Sequence, residues 1–284
     1  MDKNTPIIIA GMHRSGTSMV TNILQKLGLT IGSKLDSNHE SIFFQRINIW
    51  MMSLLGSSWD SPKNFENIDR AVKKNIITQL NKLLDSRTNS LYFGWSSIIK
   101  KGSFSDIDRP WGWKDPRNSF TINIWKEVFP NLKSIYIIRH PIDTAESLLR
   151  RQKKEQKKDI QREKKYSDLV KSLLSITHTS YNSSMLLNSY DDCFSLIDSY
   201  YAQILNNAAT QEALVVKFED IISDPENGIQ KILDYCNLTY NKNDVINISK
   251  GIDPSRRYAY RNNPDLLKFE SSFNKLIEDM GYSS

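Results

Sequence analysis

No apolar run reaches the roughly 18 residues that a bilayer-crossing helix needs, and only five apolar residues precede Gly11, too few for a secretory signal. Both absences predict a protein without a membrane partner. Cysteine is scarce: Cys193 and Cys236 stand alone in unrelated contexts, which fits a reduced, cytoplasmic setting and leaves a single disulfide open. The four histidines, His13, His39, His140 and His178, are scattered, and no Cys/His cluster has zinc-ligand spacing, so no metal is required. Internal repeats, Gly/Ser or Pro-rich linkers and low-complexity tails are also missing, so one domain over residues 1–284 is predicted. With 39% apolar and 10% aromatic residues it has the makings of a sizeable core.

A net excess of charge of one sign is confined to one place. Between Arg150 and Lys165 nine Lys or Arg face three acids, which accounts for the chain's whole net charge of +6. A dedicated nucleic-acid surface would spread its cations over a face and interleave aromatics, so no nucleic-acid partner is predicted. The run reads either as a solvated helix or as a device that concentrates an anionic cofactor or acceptor.

What is present begins at Ile7-Ile8-Ile9-Ala10, a buried strand that enters Gly11-Met12-His13-Arg14-Ser15-Gly16-Thr17-Ser18 and then a helical pattern. Unpaired N–H groups and the peptide dipole make such a helix start a phosphate site. Glycines at 11 and 16 keep side chains out of the way of a close approach. Their spacing matches G-x-x-x-x-G-K-[ST], except that Thr17 stands in the lysine's place. The loop's cation is instead Arg14, whose planar guanidinium can fork onto two oxygens of a tetrahedral anion.

A second strand, Ser134 to Ile138, ends in Arg139-His140-Pro141 ahead of a helical pattern through Ile142, Ala145, Leu148 and Leu149. Arg139 thus sits at a strand's carboxyl end, with Ser147 about two turns into the next helix. That edge of an open sheet is where ligands bind, so the pair can hold a second phosphate away from the first. Alternating strands and helices predict an α/β fold: a P-loop-like, three-layer domain with a central parallel sheet flanked by helices.

In the pairing of these motifs the chain resembles the sulfotransferases that use 3′-phosphoadenosine-5′-phosphosulfate (PAPS). His13-Arg14-Ser15-Gly16-Thr17-Ser18 looks like the family's 5′-phosphosulfate loop, and Arg139 with Ser147 matches its 3′-phosphate motif. Trp113-Lys114-Asp115-Pro116-Arg117 is similar to the Lys-Asp-Pro segment of the tyrosylprotein and bacterial carbohydrate branches. Val215 to Ile221 followed by Asp224-Pro225 looks like the family's strand-and-turn, with Phe218 replacing tyrosine.

The resemblance implies PAPS as sulfuryl donor, with the bisphosphate PAP as product, and no metal. Glu40, ahead of an apolar helical stretch through Trp50, Met51, Met52 and Leu54, is the implied base. His39 is the rival, and a glutamate favoured by the helix dipole is the plain alternative. Arg14 and Lys114 are the cations assigned to the departing phosphate oxygen. Lys114 alternatively pairs with Asp115 at the surface. Arg256 and Arg257 fall where the family returns a basic segment to the 3′-phosphate, or form a turn after Asp253-Pro254. Residues 255–261 are followed by one amphipathic helix, Leu266 to Met280.

The acceptor is read as a small diffusible natural product, with a saccharide or peptide as alternatives. Residues 41–110 are the acceptor-facing insertion. Its aromatics Phe43, Phe44, Trp50, Trp59, Tyr92, Phe93 and Trp95 line a pocket or belong to the core. A P-loop nucleotide kinase, disfavoured by the missing lysine, and a non-catalytic adenosine-bisphosphate binder are the readings from other classes. Oligomeric state is not legible.

Overall fold

The computed structural model describes residues 5–65, 67–86, 90–94, 104, 107, 109–161 and 183–282. Trp95, His178 and the basic residues 162, 164 and 165 lie outside them. Four strands, β1 (Ile7–Gly11), β2 (Gly112–Lys114), β3 (Lys133–Ile138) and β4 (Ala213–Lys217), form one parallel sheet in the order β2-β1-β3-β4.

Side chains alternate along a strand, and here both faces are covered. Ile8, Ala10, Tyr136 and Ile138 enter one core. It is closed by α2 (Ile42–Ser53), α5 (Asn118–Val128), α6 (Pro141–Gln161) and α7 (Tyr190–Thr210). Ile7, Ile9, Ile135 and Ile137 enter the other, closed by α1 (Thr17–Lys26), α8 (Phe218–Ser223), α9 (Pro225–Cys236) and α10 (Lys242–Ser249). The three-layer α/β architecture expected from the sequence is therefore present. Helices α3 (Arg70–Leu84) and α4 (Ser90–Phe93) lie in the segment between β1 and β2.

Topology places the site. The connection after β1 leads to β2 on one side, and the connection after β3 leads to β4 on the other. The first helices of these connections, α1 and α6, pack on opposite faces of the sheet. A crevice therefore opens beyond the carboxyl ends of β1 and β3, between the two diverging connections.

Of the two readings of the 41–110 aromatics, the core one holds for three: Phe44 stacks on Trp113 at 3.7 Å, and Phe43, Phe44 and Tyr92 form one buried cluster with Phe104 and Trp111, whereas Trp50 is exposed and Trp59 lines a cavity. The Tyr92 hydroxyl donates to the Thr30 and Gly112 carbonyls, so it too is committed to the interior. Leu266 to Met280 is not one helix but two, α11 (Pro264–Ser272) and α12 (Asn274–Asp279). Phe273 leaves the helical conformation to stack on Phe194 at 3.8 Å, just after two serines that propagate a helix weakly. Glu40 is not a first-turn residue, because α2 begins after Ser41. Cys193 and Cys236 are buried and free, so no disulfide joins them.

Candidate active site

The first loop leaves β1 at Gly11, and α1 starts at Thr17 with Gly16 as its N-cap, φ 99°. No side chain caps this helix and no acid occupies its first turn, so its positive end stays open. The glycines answer to the protein's own packing: a Cβ on Gly16 would lie 2.3 Å from the Phe218 ring, and one on Gly11 would lie 2.3 Å from the Ile137 carbonyl oxygen. Arg14 adopts φ 73°, a left-handed conformation that costs a non-glycine residue about 1 kcal/mol. That backbone aims its side chain across the crevice, where Nε donates to Ser147 Oγ at 3.0 Å.

Arg139, at the end of β3, is buried. Its Nη2 donates to the Arg256 carbonyl at 3.0 Å and lies 3.6 Å from Asp143. The guanidinium packs over Phe218, 4.8 Å from the ring centroid, and Arg256 approaches the same ring at 5.8 Å. Arg257 turns instead to the Tyr258 ring at 5.2 Å, and it lines neither of the cavities described below.

Glu40 is presented by a tight turn in which Asp36 Oδ1 accepts from the N–H groups of Asn38 and Glu40, both at 2.8 Å. His39, at φ 60°, points away and pairs with Gln25 of α1 at 3.1 Å, so the two candidate bases part company. Glu40 is 3% exposed and Lys114 2%, and their charged groups meet at 3.0 Å. Lys114 and Trp113 do point to opposite sides of β2, Trp113 into the aromatic core. Surface pairing of Lys114 with Asp115 does not occur. Asp115 instead takes Arg117, accepting from its N–H at 2.9 Å and its Nη1 at 3.0 Å. Burial raises the Asp115 carboxyl above its usual range, against the opposing pull of Arg117.

Several members of the site were not singled out from the sequence. Arg117 Nη1 lies 3.5 Å from Glu40 Oε2, and Gln45 Nε2 donates to the same oxygen at 2.8 Å. Asn48 donates to Asp115 at 2.9 Å and accepts from Trp125 Nε1, tying the site to the core. Gln45 and Asn48 interrupt the apolar stretch of α2 three residues apart, on one face of the helix, and that was the available signal.

His13, Arg14, Gly16, Thr17, Ser18, Glu40, Lys114 and Arg256 line one cavity of about 100 Å³. It shares Arg14, Asn38 and Arg151 with a larger one of about 1030 Å³, which Ser147, Arg117, Trp59 and the basic face of α6 also line. His13 Nε2, on the smaller cavity, and Ser15 Oγ and Arg139 Nε, whose residues line neither, are buried without a hydrogen-bond partner among the described residues. His13 packs edge-on to Trp59 at 4.7 Å, and burial, reinforced by Arg117, Arg151, Lys114 and Arg14, lowers its pKa well below 6.5. Arg14 too is pulled below its ordinary value, first by burial and then by Arg151, Arg256, Arg150 and Arg139. Orphaned donors amid crowded cations fit an anionic ligand, whose charge would relieve both costs. Among the described residues no group of three His, Cys, Asp or Glu is placed to hold a metal ion, and no helix is long and apolar enough to cross a membrane.

No curated protein matches the chain. Among solved structures, it is similar to the sulfotransferase domain from the curacin biosynthetic pathway, at 13% identity and TM-score 0.49 over 95% of this chain and 97% of that one. The sulfotransferase domain of the Synechococcus PCC 7002 olefin synthase is similar at 16% identity and TM-score 0.49, over 95% and 94% of the two chains. A mouse sulfotransferase complexed with PAP is similar at 11% identity and TM-score 0.45, over 99% and 86%. The model of the sulfotransferase family matches residues 6–242, and the chain belongs to that family.

Proposed function

We propose that the protein transfers the sulfuryl group of PAPS to a hydroxyl or nitrogen of a diffusible acceptor, within one domain whose 41–110 region faces the acceptor. One observation carries this reading: the 3.0 Å hydrogen bond from Arg14 to Ser147, which brings the two anion cradles together beside the buried Glu40–Lys114 pair. A ligand charged at both ends suits that arrangement better than a nucleoside triphosphate with magnesium.

In this reading PAPS supplies the sulfuryl group, and the protein supplies position and charge. The open end of α1, with Ser15, Thr17 and Ser18, holds the 5′ anion, while Arg139, Ser147 and Arg256 hold the 3′-phosphate. Glu40 accepts the acceptor's proton as the new bond to sulfur forms. Gln45 and Arg117 hold the carboxylate's second oxygen, and the first, which Lys114 meets at 3.0 Å, is the one that takes the proton. Lys114 has three N–H donors and spends one on Glu40, leaving others for the bridging oxygen as negative charge develops there. Arg14 neutralises the same oxygen from the loop side. Little covalent work falls to the protein, as in phosphoryl transfer.

The test is release of PAP from PAPS across an acceptor panel with chelator present, beside a parallel panel with ATP and magnesium and no chelator. Wild type turns over. Glu40→Gln loses about 10²–10⁴-fold in kcat and Lys114→Ala about 10²–10³-fold, each with PAP affinity retained. Turnover that needs ATP and magnesium, or variants as active as wild type, would refute the assignment.

A further inference from the structure

The larger cavity has a chemical character that the transfer chemistry does not demand. One wall is α6, whose Ser147, Arg150, Arg151, Lys154 and Lys158 recur at three- and four-residue intervals and so share a face, with Glu155 the one acid among the helix's lining residues. The opposite face of the same helix is committed to the protein: Leu148 and Leu149 are core, and Gln152 and Asp159 hydrogen-bond to Ser184 and Ser183. From Arg150 to Asp159 the basic run is thus not a helix solvated all round. It has a packed side and a cationic side, and the cationic side lines a cavity.

Little on the protein balances that charge. Among the described residues Lys158 pairs with Glu155 at 2.6 Å, and Arg117 is held by Asp115 and Glu40. Arg150, Arg151 and Lys154 have no ion-pair partner among the described residues, and Arg151 lies over the Trp59 ring at 5.8 Å. From residue 150 to 158 the ladder runs about 12 Å along the helix. It starts beside Ser147 and leads away from the transfer site. The far wall comes from the 41–110 region: Ile49, Met52, Ser53, Ser57, Ser58 and Trp59.

We infer that the acceptor is an anion: a hydroxylated molecule whose carboxylate or sulfate groups lie along the α6 ladder while its reacting hydroxyl reaches Glu40. This rests on the sulfuryl-transfer reading and narrows it. It also favours one of the two readings open for the basic run in the sequence, the device that concentrates an anionic acceptor, because the groove forms only where α6 faces the 41–110 region. Attraction to such a wall raises encounter rates and falls with salt.

Binding to the PAP-saturated protein, followed by calorimetry, tests this without requiring turnover. Two anionic probes, 4-hydroxyphenylacetate and a glucuronate-containing tetrasaccharide, are each paired with a neutral counterpart, the methyl ester and the carboxyl-reduced sugar. At least one anionic probe should bind more tightly than its counterpart. Lys154→Ala/Lys158→Ala should erase about five- to tenfold of that preference and leave PAP affinity unchanged. Which probe wins separates a small hydroxy acid from an acidic saccharide. Failure of both anionic probes to outbind their counterparts overturns the inference, as does a double variant that keeps the preference. Failure of PAP itself to bind overturns the underlying function instead.

Discussion

Arg14 concentrates the local cost of the site. It is held at φ 73°, and desolvation, followed by the surrounding arginines, depresses its pKa although the residue keeps an exposed side. Such an arrangement persists where the surrounding structure over-determines it, and a bound anion relieves it. His140 shows the opposite economy. It stacks on Tyr260 at 4.5 Å, and burial, with Arg261 and Arg139 behind it, pushes its pKa down to about 3. The unfolded chain therefore binds a proton that the folded chain refuses between about pH 6.5 and 3, so this residue's contribution to stability falls as pH falls through that window. Asp143 and Glu219 are shifted upward by burial and work in the other sense, so the comparison must be made between variants. His140→Phe keeps the stacking and removes the proton site. Denaturant melts from pH 6 to 4.5 should show wild type losing about 1 kcal/mol per pH unit more than the variant. Parallel pH profiles would contradict this.

At the scale of elements, β1 and β3 were readable because each is a continuous apolar run ending in a charged or glycine-bracketed turn. The helix after β3 was readable from its 3.6-residue period. What the sequence did not convey was which elements meet. The Lys114–Glu40 pair joins residues 74 positions apart, one on β2 and one in the turn before α2, and no local pattern encodes that contact. The break at Phe273 escaped for the same reason, since its cause is a stacking partner on α7. Arg117 stood in plain sight within the Lys-Asp-Pro-Arg segment, yet its role depends on Asp115 turning it toward Glu40. The junction of loop, strand and α8 is equally a matter of packing: Gly16 lies against the Phe218 ring that also carries Arg139 and Arg256. Gly16→Ala should displace that ring, cost about 1–3 kcal/mol in unfolding free energy, and weaken PAP binding although it removes no contact. An alanine variant with wild-type stability and affinity would show that the ring can yield freely.

Across the whole molecule, the fold brings three separated features to one edge of one sheet. The glycine loop follows β1, Arg139 ends β3, and the described part of the cationic run, Arg150 to Lys158, lies on the helix after β3. The first two were legible as motifs, and their convergence at a topological switch point was implied by parallel-sheet rules. The third had two readings in the sequence, a solvated helix or a device that concentrates an anion, and the cavity wall formed by α6 favours the second.

The central claim is that a single adenosine bisphosphate spans both cradles. Calorimetric titration of PAP into wild type, Arg14→Ala and Arg139→Ala tests it most directly. The account predicts one PAP per chain and a loss of about tenfold or more in affinity for each variant. Absence of PAP binding, or either variant binding as tightly as wild type, would contradict it.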